Sequence, residues 1–183
     1  MPTPSSILSL LRLPPNLVSL WNWSAIPPSH VKHIVAPIAC LRTLDATLDP
    51  KHYLTLPPGL TNLTLRRGSR KSVEWSHILS LPPSLRRFVS QANDPQGYND
   101  PMAPVLPFPQ LEEWTSAHMT LSHGQIAALP KSVTKLALLQ HPVDTLAFLP
   151  RSLTQLGHQF NKIFVNSSNT ENLRQLPLVL KEL

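Results

Sequence analysis

One phrase governs this chain: a Leu-Pro pair, a short turn, then L-x-x-L. It stands as "LPPNLVSL" at 13–20, "LPPGLTNL" at 56–63, "LPPSLRRF" at 81–88, "LPKSVTKL" at 129–136 and "LPRSLTQL" at 149–156. Aligning every copy on the leading apolar residue of L-x-x-L gives Leu17, Leu41, Leu60, Leu85, Leu111, Val133, Leu153 and Leu180. The steps between them are 24, 19, 25, 26, 22, 20 and 27 residues, a mean of about 23. Three residues after each anchor comes a second large apolar residue: Leu20, Leu44, Leu63, Phe88, Trp114, Leu136, Leu156 and Leu183. Three or four residues before each anchor is a proline, at 14, 37, 57, 82, 107, 130, 150 and 177, preceded by Leu in seven copies and by Ala36 in the other. A match in all eight copies at positions this restrictive makes the chain an array.

Proline fixes φ and has no N–H to donate, and the residue before it is pushed out of the α region. A helical segment reaching a Leu-Pro pair must therefore stop there. About one helical turn upstream of each pair stands a further apolar residue: Leu10, Ile34, Tyr53, Ile78, Ala103, Ile126, Leu146 and Leu173. Spacing of i and i+3 puts both apolar side chains on one face of a short helical or 3-10 segment. Beyond the proline the chain enters an extended run whose apolar residues point inward. The proline marks the corner of each coil. The expected fold is a right-handed α/β solenoid of about eight coils filling residues 1–183 as a single domain. Its parallel sheet lies on the concave face, and short helical or 3-10 segments lie on the convex face. Terminal coils of such an array expose an apolar cross-section and need caps. No cap is legible at either end, which suggests a fragment or an uncapped array.

The period and the L-x-x-L-x-L core, from Leu10 to the last residue, resemble the leucine-rich repeat family. The Leu-Pro-x-x-Leu variant is most similar to the proline-containing repeats of bacterial effectors and of amoebal or fungal proteins. One copy, "LPRSLTQLGHQFNKI" at 149–163, resembles the FNIP-type repeat through Phe160, Asn161 and Ile163. The chain also departs from the family. The third inward leucine is clear at Leu65 and Leu138, but the matching positions elsewhere are Asn22, Ala46, Ser90, Ser116 and His158. The family's asparagine, which bonds loop backbone between coils, is present as Asn93 and Asn161, with Asp49 as a partial substitute. The stretch 93–109 is irregular and reads as a wider loop within the array.

Composition bounds the function. With 42% apolar and 14% charged residues, the chain of 183 is globular in make-up and long enough for a core. A single cysteine, Cys40, excludes an intramolecular disulfide framework and reads as an inert buried thiol in a reducing compartment. The prolines interrupt every apolar run well short of the ~18 residues of a membrane span, and the N-terminus lacks the basic region of a signal peptide. A cytoplasmic protein with no membrane association is expected. The eight histidines are scattered; His30 and His33 alone do not make a zinc site. No glycine-rich phosphate loop is legible, and nothing pairs Asp45, His52 and Ser69 into a triad. No cofactor, no metal and no catalysis are expected.

What remains is surface. In L-x-x-L-x the third and fifth residues point away from the core. The third positions read Ser19, Thr43, Asn62, Arg87, Glu113, Lys135, Gln155 and Glu182, and the fifth read Trp21, Asp45, Thr64, Val89, Thr115, Ala137 and Gly157. Arg66, Arg67 and Arg86 flank these strands, and Arg70 and Lys71 follow in the loop. A solvated face that keeps the array soluble competes with a docking patch for an acidic protein, since arginine is enriched at interface hot spots. Nucleic acid is disfavoured, because Trp21 and Trp75 are far from the cluster in the strand ladder. The candidate partner-binding residues are Asn62, Arg66, Arg67, Arg86, Arg87, Glu113, Lys135 and Trp21. A protein–protein interaction module is favoured. The family resemblance supplies the alternative, a substrate-recognition arm of an F-box or effector-type ubiquitin ligase whose other domain lies outside this chain.

Overall fold

The computed structural model describes residues 14–23, 38–48, 50–66, 75–91, 106–116, 121, 123–138 and 148–158. Seven strands lie within them: β1 (Ser19–Trp23), β2 (Thr43–Ala46), β3 (Asn62–Leu65), β4 (Arg87–Ser90), β5 (Glu113–Ser116), β6 (Lys135–Leu138) and β7 (Gln155–His158). They form one sheet in sequence order, and each strand pairs parallel with the next. A parallel pair cannot be joined by a tight hairpin, so each return connection carries the chain one rung along. That is a solenoid. At ~4.8 Å per rung, six steps make the sheet about 29 Å long. The eighth coil expected at Leu180 and Leu183 lies outside the described residues.

The Leu-Pro pair is the junction of two successive turns. A 3-10 helix (Pro50–Thr55), α1 (Trp75–Leu79) and α2 (His123–Ala127) precede β3, β4 and β6. Their inward residues pair as the spacing requires: Tyr53 with Leu56, Ile78 with Leu81 and Ile126 with Leu129, all buried. In each pair the leucine N–H donates to the carbonyl three residues back, at 3.2, 3.1 and 3.2 Å. The proline then acts as acceptor. The anchor N–H groups of Leu60, Leu85, Val133 and Leu153 donate to the carbonyls of Pro57, Pro82, Pro130 and Pro150 at 3.0–3.2 Å. Where the proline stands one residue earlier, Ile38 and Phe108 accept instead. A residue with no N–H is thus used where only its carbonyl is needed. Leu10, Ile34, Ala103, Leu146 and Leu173 lie outside the described residues.

The second apolar row lines up rung by rung: Leu20, Leu44, Leu63, Phe88, Trp114, Leu136 and Leu156 are successive register partners. The anchors Leu41, Leu60, Leu85, Leu111, Val133 and Leu153 are fully buried beside it, whereas Leu17 and Leu156, on the first and last rungs, are only partly covered. The core is therefore one continuous column whose ends are less protected. In its middle it turns aromatic. Phe88 meets Trp114 edge-on at 5.2 Å, and Phe108 lies tilted against the same ring at 6.4 Å.

Three expectations are corrected. First, β1 carries one extra residue, since Leu20 pairs with Leu44 but Trp23, not Asn22, pairs with Ala46. Two β1 residues oppose one in β2, a bulge that moves Asn22 out of the third inward row. Second, Cys40 is exposed, being the third residue of the turn closed by Leu41 N–H on the Ile38 carbonyl. Third, Asp45 occupies the fifth position of its copy yet is buried, for a reason given below. Of the irregular stretch 93–109, residues 93–105 lie outside the described residues; Leu106 and Phe108 are buried, and the Phe108 carbonyl closes the turn into β5.

Side-chain hydroxyls tie the coils together. The residue before the anchor is serine in three copies. Ser84 Oγ donates to the Leu60 carbonyl at 2.7 Å, with the Pro58 carbonyl also at 2.6 Å; Ser132 Oγ donates to Leu111 and Ser152 Oγ to Val133, each at 2.7 Å. Each serine thus satisfies the anchor carbonyl of the preceding coil. One residue after the anchor, Thr61, Thr134 and Thr154 donate to the carbonyls of Arg42, Glu112 and Thr134 at 3.0, 3.3 and 3.1 Å. In the copy with Gly59 before its anchor, the vacant space is filled from the previous coil, where Arg42 Nη1 donates to the Gly59 carbonyl at 2.9 Å. Asp49, Asn93 and Asn161, the positions expected to bond loop backbone between coils, lie outside the described residues.

Candidate functional site

The sheet register places Ser19, Thr43, Asn62, Arg87, Glu113, Lys135 and Gln155 side by side in one outward row. Side chains on neighbouring parallel strands at one register level are close enough to bond. Arg87 Nε reaches Glu113 Oε2 at 2.8 Å, and Lys135 Nζ reaches Glu113 Oε1 at 3.1 Å from the other side. Thr115 Oγ1 donates to the same Oε1 at 3.4 Å. Further along the row Asn62 Nδ2 donates to Thr43 Oγ1 at 3.2 Å.

A second outward row runs beside it, made of the residues that directly follow the anchors. There Arg86 Nη1 meets Glu112 Oε1 at 3.2 Å, with both side chains about half exposed. Together the two rows line a polar depression of about 290 Å³ formed by Asn62, Arg86, Arg87, Glu112, Glu113, Thr134, Lys135, Thr154 and Gln155. Three cations face two carboxylates there, leaving one positive charge in excess.

Of the residues expected to bind a partner, the depression gathers Asn62, Arg86, Arg87, Glu113 and Lys135. It does not include Arg66 or Trp21. Arg66 follows β3, and its Nε and Nη2 grip Asp45 Oδ1 and Oδ2 at 2.6 and 2.9 Å. This fork explains the burial of Asp45, whose carboxylate is charge-paired on both oxygens. In return, hydrogen bonding to Asp45 and then its charge raise the Arg66 guanidinium above its usual value. Trp21 stands on β1, three rungs from Arg87, with 61% of its surface exposed. Arg67, Arg70 and Lys71 lie outside the described residues. The described members of the basic cluster, Arg66, Arg86 and Arg87, are each ion-paired.

Glu112, Thr134, Thr154 and Gln155 line the depression but were not among the candidate binding residues, although Gln155 was read as outward. The signal was present: the residue after the anchor is polar in seven of the eight copies, as Arg42, Thr61, Arg86, Glu112, Thr134, Thr154 and Lys181. Among the described residues no cluster of three or more His, Cys, Asp or Glu could hold a metal ion. No helix among them is long and apolar enough to cross a membrane.

No protein-family model matches the sequence, and no curated protein matches it. Among solved structures, the crystal structure of the leucine-rich repeat-containing protein LegL7 from Legionella pneumophila is similar, with 16% sequence identity and a TM-score of 0.47 over 96% of this chain. The chain spans 57% of the length of that protein. The assignment of a parallel-strand solenoid rests on the ladder of seven strands itself.

Proposed function

We propose that this chain is a non-catalytic protein-interaction module that binds an acidic segment of a protein partner through the concave face expected of such a solenoid. The binding residues on this reading are Asn62, Arg86, Arg87 and Lys135, with Arg87 central, and Glu113 holds two of these cations in register. The observation that carries the reading is the Arg87–Glu113–Lys135 row, which holds two cations against one carboxylate at the floor of a polar depression. Regular strands fix the spacing of these groups, and a preset charge pattern steers encounter and sets register more than it adds affinity.

The test is binding of a fluorescein-labelled hexaglutamate peptide, followed by anisotropy at low ionic strength, to the wild type and to the double variant Arg87→Glu/Lys135→Glu. Binding to the wild type should vanish in the variant and in about 0.5 M salt, where the Debye length shrinks to roughly 4 Å. Arg66 is left untouched in this design, because reversing it would set a second carboxylate beside buried Asp45. Binding that survived both the charge reversal and the salt would refute the reading and direct attention to Trp21.

A further inference from the structure

Glu113 stands where a partner's carboxylate would have to stand. Its two oxygens are divided between Arg87 on one neighbouring strand and Lys135 on the other. Those cations are two rungs apart, a backbone separation of about 10 Å, and the Glu113 carboxylate closes the gap between them. Its side chain is 18% exposed, against 48% for Arg87 and 41% for Lys135. Glu112 is placed differently: it meets Arg86 alone, and its side chain is 53% exposed. An acidic side chain arriving in the depression would seek the same two donors that Glu113 already holds.

We infer that Glu113 is a built-in competitor for the acidic partner: it occupies the anion position between Arg87 and Lys135 and thereby lowers the affinity of the site. This rests on the proposed acidic-partner reading and adds to it the residue that tunes the site. The mechanism fixes an unusual sign. Removing a residue that lines the site strengthens binding, because two pre-positioned cations are released and one repulsive charge is lost. The donors keep their places, since their backbone positions are set by the sheet and not by the ion pair.

The same hexaglutamate titration tests this with Glu113→Gln, Glu112→Gln and Lys135→Met. Glu113→Gln should tighten binding about five- to tenfold at low salt, the order expected when one charge within a few ångströms is removed from a wet site. Glu112→Gln changes the net charge equally but frees only one half-exposed arginine, so its gain should be clearly smaller. Lys135→Met should weaken binding, because the remaining Arg87–Glu113 pair is neutral. Far-UV circular dichroism melts confirm folding, and Glu113→Ser replaces the glutamine variant if that one is unfolded. Equal gains in Glu113→Gln and Glu112→Gln would reduce the effect to net charge and overturn the inference. Weaker binding by Glu113→Gln than by wild type would overturn it too, while leaving the acidic-partner reading in place. Failure of every form to bind hexaglutamate would remove the acidic-partner reading itself.

Discussion

Replacing Leu63 by alanine should be one of the most costly single changes in the array. Leu63 lies on β3 in the middle of the apolar column, between Leu44 and Phe88 on the adjacent rungs, and is 1% exposed. Truncation removes three carbons, about 2.4 kcal/mol at ~0.8 kcal/mol per methylene-sized group. The hole adds to this, because rungs held ~4.8 Å apart by backbone hydrogen bonds cannot close over it. The expected loss is about 3–5 kcal/mol. Leu156 occupies the same row on β7 but is only partly buried, so Leu156→Ala should cost roughly 1–2 kcal/mol. Urea unfolding followed by far-UV circular dichroism measures both. The slope should be compared between variants, because a damaged solenoid can fray coil by coil and cease to be two-state. Equal losses at Leu63 and Leu156, or a loss under about 1 kcal/mol at Leu63, would refute the column and its register.

Ser132→Ala leaves the Leu111 carbonyl without its hydroxyl donor and should cost about 0.5–1.5 kcal/mol in the same urea assay; no change would mean that the serine ladder contributes nothing. Asp45→Asn and Arg66→Ala should each lower the melting temperature, and the double variant should lose less than the sum, because each single change strands a charge or breaks the fork. Strict additivity would deny the coupling. Trp114 is fully buried, and its indole N–H has no hydrogen-bond partner among the described residues, so Trp114→Phe removes a donor whose burial is a cost rather than a gain. It should cost under about 2 kcal/mol, against about 3–5 for Trp114→Ala. Similar costs would place the value of that side chain in its N–H rather than in its packing against Phe88 and Phe108.

The ladder was readable from the chain because its signal is repeated. Proline before an apolar pair at i and i+3 admits few conformations, and recurrence at every coil fixes which residues share a rung. Leu20 to Leu156 align as the spacing implies. What escaped was local and unrepeated. The extra residue in β1 changes no periodic position before Trp23, so nothing in the pattern marks it. Phe108 hides between two prolines, where it reads as loop, and its burial depends on Trp114 of the following strand. Asp45 sits at an outward position, and only its pairing with Arg66 on the next coil accounts for its burial. The serines before the anchors are visible in "LPPSL", "LPKSV" and "LPRSL", yet serine is an ordinary turn residue. Only stacking reveals the carbonyl that each one serves. The arginine cluster follows the same logic: sequence places the cations, but the partner carboxylates come from other coils.

The most direct measurement is a nitrogen–proton correlation NMR titration of the wild type with the hexaglutamate peptide at low salt. The largest shifts should fall on the amides of Arg86, Arg87, Glu112, Glu113, Thr134 and Lys135, which line the depression at and just before the starts of β4, β5 and β6. Shifts centred on Val18 and Trp21, or spread evenly over the described coils, would contradict the assignment of partner binding to this face.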